Sequence, residues 1–332
     1  LEKGHTSYTS NQGYLPFRQA IHRWLEREMH VAYSVENEIL VTVGVSEALD
    51  LACRALLEAG DEVLIPEPCF VSYPALVELA GGVPVPVATT SLTNFLPQID
   101  ELEAKHTSRT RAILLNFPSN PTGATIGPEE MAKLADWIIR KDLLLISDEI
   151  YSPLTYDGEH TCFASLPGMK DRTILMHGMS KAWAMTGWRI GYAAAPADIL
   201  AGMTKIHQYQ IMCASITGQM AATEALDHGD ADCQRMKEDY ARRRRFIVKS
   251  LNEMGLPCHI PGGAFYVFPS IRETGLTSEQ FSLQLLEKQS VAVVPGDAFG
   301  QSGEGYIRCS YATSLDVIEQ AMERMKHFVG SL

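Results

Sequence analysis

From residue 39 the chain alternates short apolar runs with longer stretches whose apolar positions recur at helical spacing. The runs "ILVTV" (39–43), "EVLIP" (62–66), "VPVPV" (83–87), "RAILLNF" (111–117), "LLLIS" (143–147), "TILMH" (173–177) and "IGYAAA" (190–195) each predict a strand. Between them, "SEALDLACRALLEA" (46–59) predicts a helix that stops at a Gly60 C-cap. Segments 70–80, 128–141 and 159–167 predict three more helices. Unbroken apolar strands separated by helices imply an α/β fold: a mostly parallel, seven-stranded sheet with helices on both faces. Ligands on such sheets bind at the carboxyl ends of the strands.

After about residue 199 the pattern changes. Two long amphipathic stretches, 199–227 and 231–254, lead into "GGAFYVFPSI", "VAVVPG" and "GYIRCSYA". This predicts a smaller C-terminal α+β domain, with the division at 1–230 and 231–332. No internal repeat or low-complexity linker interrupts the chain. The basic run Arg242 to Arg245, with Glu238 and Asp239 just before it, predicts a solvated helix face.

Composition then removes several classes of function. The 332 residues carry a net charge of −12, which argues against a nucleic-acid surface. Seven scattered cysteines without a Cys-x-x-Cys pair point to reduced thiols in the cytoplasm, and to no disulfide framework or metal site. No apolar run approaches the roughly 18 residues of a membrane span.

The chemistry-bearing residues fall where strands end. "LLLISDEIY" places Asp148 at a strand terminus with Tyr151 three residues on. A buried acid there is costly unless it meets a cation or a strong donor. In "NFPSNPTGA" (116–124), Asn120 precedes Pro121 and is biased to extended backbone. The stretch "VTVGVSEAL" (41–49) reads strand, glycine, helix. Gly44 permits a tight turn, and the amides of Val45 and Ser46 open a helix start that favours a phosphate, with Ser46 also an ordinary N-cap residue. Finally, "HGMSKAWAMTGWRIGY" (177–192) sets Lys181 among small and apolar residues with no acid within six positions, and Arg189 eight positions later. Desolvation and a neighbouring like charge depress a lysine pKa and leave an amine able to attack carbonyls. An arginine takes a phosphate. Lysine, aspartate, phosphate site and aromatic together describe a pyridoxal phosphate pocket.

With those residues in place, the sequence resembles the fold type I pyridoxal-phosphate aminotransferases of class I/II. The similarity is to the subgroup of bacterial aspartate, aromatic and N-acetyl-diaminopimelate aminotransferases. It covers essentially the whole chain, and "TSYTSNQGYLPFRQAI", "VGVSEALD", "NPTG", "SDEIY", "SKAWAMTGWRIGY" and "GYIRCSYA" stand in the family's order. The resemblance implies a transaminase that passes the amino group of an L-amino acid to a 2-oxo acid through a lysine–cofactor Schiff base and pyridoxamine phosphate. Lys181 would form the Schiff base and move the substrate α-proton. Asp148 would pair with the pyridinium nitrogen, and Tyr151 and Asn120 would bond the phenolic oxygen. Phe70, in "EPCFVSY", would stack on the ring. Val45 through its amide, Ser46 and Arg189 would hold the phosphate, joined by Tyr8 of a neighbouring subunit, so the resemblance implies a homodimer. Arg308 would bind the substrate α-carboxylate. From its strand pattern alone, with Tyr306 and Ser310 on the same face, Arg308 reads as a structural ion-pair arginine.

Two departures from the family pattern stand out. Gly178 replaces a phosphate-binding serine three residues before the lysine, with Ser180 a possible substitute. Ser46 stands where some aspartate enzymes of the subgroup carry a lysine for the distal carboxylate, which counts against aspartate as donor. The resemblance also implies an N-terminal arm ahead of Leu1 that packs on the partner and covers the substrate. Two alternatives share parts of the pattern. A pyridoxal-phosphate lyase acting on a cysteine conjugate uses the same lysine, aspartate and Asn-Pro, and a non-catalytic regulator domain uses the same fold with a basic DNA-binding extension.

Overall fold

The computed structural model describes residues 4–332. All seven predicted strands form: β1 (Ile39–Thr42), β2 (Glu62–Glu67), β3 (Val83–Ala88), β4 (Thr110–Asn116), β5 (Leu144–Asp148), β6 (Thr173–Gly178) and β7 (Gly191–Ala194). They make one sheet in the order β1-β7-β6-β5-β4-β2-β3. Pairs among β2 to β6 are parallel, and β7 runs antiparallel to both β6 and β1. Burial of β1 and β6 along their full length explains why they read as unbroken apolar runs.

Ten α-helices surround the sheet and its continuation among the described residues: α1 (Leu15–Met29), α2 (Gly44–Leu56), α3 (Ser72–Leu79), α4 (Ile99–Lys105), α5 (Pro128–Arg140), α6 (Ala197–Gln210), α7 (Ile216–His228), α8 (Asp230–Glu253), α9 (Ser278–Gln289) and α10 (Leu315–Val329). A second, antiparallel sheet orders β8 (Tyr266–Val267), β10 (Ile307–Ser310) and β9 (Val294–Pro295) as β8-β10-β9. Its core joins Ile247 and Leu251 of α8 to Phe281, Ile307, Met322 and Phe328.

Four expectations change. Helix α2 ends at Leu56, with Leu57 extended, so Gly60 (φ +91°) serves the turn into β2 rather than a C-cap. Segment 159–167 holds only a 3-10 turn at Phe163–Ser165. The stretch 199–227 splits into α6 and α7 at a turn where Met212 takes φ +70°. The run Arg242–Arg245 is not wholly solvated. Arg244 is buried, donates to Asp157 at 2.6 Å and to the Pro261 carbonyl at 2.8 Å, and stacks on Tyr156. One turn of helix places one residue of a four-residue run inward, and here a carboxylate receives it.

Candidate active site

The carboxyl ends of β4 and β5 and the loops after β1 and β6 open onto one cavity. Val45, Ser46, Phe70, Asn120, Asp148, Tyr151, Lys181 and Arg189, all expected at the site, line it. Asn116 ties the end of β4 to the end of β5 and to the turn that follows its own strand. Its amide donates to the Asp148 carbonyl at 2.8 Å, and its oxygen accepts from the Asn120 amide at 2.8 Å.

Asp148 is buried. Its carboxylate accepts from the Tyr73 hydroxyl at 2.8 Å and from the Ile150 amide at 3.2 Å. Burial pushes its pKa up to about 6, against the pull of those two donors and of Lys181. An acid so placed gains most from a cation at contact distance. Tyr73 was not singled out from the sequence, although its spacing from Phe70 signals it. Three residues apart across the turn that enters α3, the two side chains meet with ring centroids 5.6 Å apart.

Lys181 is partly buried, and burial lowers its pKa, with Asp148 opposing the effect and Arg308 and Arg189 adding to it. Among the described residues its amine takes part in no hydrogen bond or ion pair, and it lies 5.6 Å from the Tyr151 ring centre and 5.9 Å from that of Phe265. The predicted depression of this lysine therefore holds in direction, with desolvation as its main cause.

At the opposite end, α2 begins at Gly44 (φ +75°) with Val43 as the cap position, so Ser46 lies inside the first turn and is not the N-cap. Gly44 is packed against Arg189: a Cβ there would lie 2.6 Å from the Arg189 Nη2. A Cβ on Gly191 would lie 2.6 Å from the Gly44 carbonyl carbon and 2.7 Å from the Val45 amide nitrogen. Gly178 is paired with Gly191 across β6 and β7, and a side chain on it would press on Gly191, Ile190 and Val45. The glycine thus lets two strands and a helix start close on one another, and buried Ser180 supplies a hydroxyl to the lining instead.

Arg308 comes from β10. Its guanidinium donates to the Asn120 Oδ1 at 2.8 Å and lies against the rings of Tyr266 (4.5 Å) and Phe299 (4.9 Å). Among the described residues it has no carboxylate partner, and its buried Nε has no partner at all, so the ion-pair reading is corrected. Tyr151 is buried with its hydroxyl 2.9 Å from that of Tyr266. Tyr8 does not line the cavity and is 80% exposed.

The donor set fits pyridoxal phosphate. The tight packing of Gly44, Val45 and Gly191 presents amides and a guanidinium to an anion at one end. A buried carboxylate and an unpaired amine line the same cavity, which suits a ligand with a cationic ring nitrogen and a carbonyl carbon.

Comparison with known proteins gives the family. Residues 2–325 match the aminotransferase class I and II family. A Bacillus subtilis protein whose name assigns it to the aminotransferases without a substrate is 54% identical over 99% of this chain and 85% of its own length. An aspartate aminotransferase of Pyrococcus abyssi is 44% identical over 98% of this chain and 85% of its own length. Among solved structures, the aromatic aminotransferase from Pyrococcus horikoshii superposes with a TM-score of 0.97 at 45% identity, covering 99% of this chain and 89% of that one.

Proposed function

Because the chain belongs to the class I and II aminotransferases, pyridoxal-phosphate enzymes that move an amino group from an amino acid to a 2-oxo acid, we propose that the cavity at the carboxyl edge of the large sheet is its active site and Lys181 its reactive amine. One observation carries the assignment: side chains from separate segments of the chain, each marked by its own motif, converge on a single cavity. The family also favours transamination over the lyase and regulator alternatives.

When bound, the cofactor supplies an electron sink for the substrate Cα–H bond. The Val45 amide, Ser46 and Arg189 would hold its phosphate, and Phe70 would stack on the ring. Asp148 would keep a proton on the ring nitrogen, because a cation at contact range would offset the desolvation that raises the acid's own pKa. Tyr151 and Asn120 serve the ring oxygen. Arg308, held by Asn120 and by two aromatic faces, takes the substrate α-carboxylate through the donors that lack partners. Lys181, desolvated and unpaired, is poised as a neutral base for the Cα proton.

Donor choice rests on fewer contacts. Lys181, Arg189 and Arg308 already have tasks, and Ser46 offers no charge to a second carboxylate, which favours donors with uncharged side chains. The active unit is a homodimer in which Tyr8 reaches the phosphate of a second copy. Asn11 donates to Gln208, and Gln219 donates to Thr9, so this segment lies along α6 and α7. Exposed Tyr8 and Tyr209 (84%) thus share a flank with partly exposed Ile211 and Met212. We place the domain boundary at 230/231, beside the junction of α7 and α8. Seven unpaired cysteines support a cytoplasmic location. A panel of amino acids with 2-oxoglutarate tests the activity and the donor class together. Turnover of aspartate well above phenylalanine would reject the donor argument, and no turnover of any donor would reject the site.

A further inference from the structure

Tyr266 touches two residues given tasks above, Tyr151 through its hydroxyl and Arg308 through its ring. It stands on β8, paired with Ser310 of β10, two positions beyond Arg308. Its ring lies 4.5 Å from the Arg308 guanidinium carbon, which also contacts the Phe299 ring at 4.9 Å. Its hydroxyl lies 2.9 Å from that of Tyr151, whose ring in turn faces the Lys181 amine. Both tyrosines are more than nine-tenths buried, so neither hydroxyl has bulk water as an alternative partner.

Two hydroxyls that share one hydrogen bond must divide the roles of donor and acceptor. The charges around them decide which is which. Burial raises the pKa of both hydroxyls; Arg308, which lies against the Tyr266 ring, favours proton loss from both, while Asp148 adds further opposition at Tyr151 alone, whose pKa is held the higher of the two. The more acidic hydroxyl is the better donor. Tyr151 is then an acceptor on one side and keeps its own proton for another partner, and a hydroxyl that accepts one hydrogen bond donates the next more strongly.

We propose that Tyr266 is a positioning residue for the reaction: it donates its hydroxyl proton to Tyr151 and carries Arg308 on its ring, so that one side chain sets both the carboxylate-binding arginine and the tyrosine that serves the cofactor oxygen. The proposal rests on the assignment of Tyr151 to that oxygen. It gives Tyr266 a task distinct from filling space, because the ring and the hydroxyl act on different neighbours. Tyr266→Phe separates them, keeping the ring under Arg308 and removing only the donor.

The test uses the full chain loaded with pyridoxal phosphate and follows the visible absorbance of the cofactor–lysine link against pH. Four proteins are compared: the parent, Tyr151→Phe, Tyr266→Phe and the double variant. A donor to an anionic oxygen favours the deprotonated link, so Tyr151→Phe raises the midpoint. Tyr266→Phe raises it in the same direction by a smaller amount, about half a pH unit, because the Tyr151 bond loses its polarising partner. In the Tyr151→Phe background it adds nothing. KM for the 2-oxo acid stays within about twofold in Tyr266→Phe, since the stack under Arg308 remains. A midpoint moved by Tyr151→Phe and untouched by Tyr266→Phe would overturn the proposal. An equal shift from Tyr266→Phe with and without the Tyr151 hydroxyl would overturn it too, by showing that the effect does not pass between the two hydroxyls. A midpoint that ignores Tyr151→Phe would remove the assignment of Tyr151 and the proposal with it.

Discussion

Replacing Asp148 by asparagine should make the cofactor-free protein more stable at neutral and alkaline pH, and worse as an enzyme. Burial raises the Asp148 pKa from 3.8 to about 6, despite donors from Tyr73 and Ile150. A folded-state pKa above the unfolded value stabilises the fold while the group is protonated, and that stability is lost as pH rises through the folded value. The rise from 3.8 to about 6 corresponds to ~3 kcal/mol of strain near pH 8 and ~1 kcal/mol near pH 4.5. The stability gap between Asp148→Asn and the parent should therefore grow by ~2 kcal/mol from the lower pH to the higher. Urea unfolding of both proteins without cofactor at the two pH values measures this, and comparing the change with pH cancels any fixed cost of the new amide. With cofactor the order should reverse, because the carboxylate then has a cation to hold. Loss of a charge-assisted bond worth ~2–4 kcal/mol should lower kcat by roughly 30-fold or more. A gap that stays flat with pH would refute the claim that Asp148 is a strained acid awaiting a cationic partner.

Two further outcomes follow from the same geometry. Arg308→Ala should lower kcat/KM for amino acids and 2-oxo acids alike by at least roughly 30-fold, with simple amines that lack the carboxylate nearly unaffected; steady-state kinetics on both substrate types checks it, and equal losses would mark the arginine as structural. Gly191→Ala should destabilise the fold by ~1–3 kcal/mol and weaken cofactor binding, because the added methyl would displace the Gly44–Val45 backbone; thermal unfolding and cofactor titration should move together, and a change in neither would contradict the tight packing.

Much of this was legible in the sequence because it is local. Each strand of the large sheet is a short apolar run, Asp148 ends one of them, and Asn120 and Lys181 sit in the turns just after two others. The mistakes arise where a distant partner decides. Arg244 turns inward because Asp157 meets it from 87 positions away. The break between α6 and α7 carries no glycine or proline to announce it. Tyr266 finds Tyr151 across 115 positions, which no spacing rule connects. Arg308 looked like an ion-pair residue because its strand neighbours are visible in sequence, while Asn120, Tyr266 and Phe299 around it are assembled only by the fold. Gly178 looked like a lost phosphate contact, and the structure gives it a reason in the close approach of Gly191 and Val45.

The central claim is that Lys181 carries the reactive amine. Borohydride reduction of the loaded enzyme, followed by peptide mapping, tests it most directly. The cofactor should be fixed to the peptide containing Lys181, and Lys181→Ala should bind pyridoxal phosphate without acquiring that link or transaminating. Attachment at another lysine, or near-parent turnover by Lys181→Ala, would contradict the account.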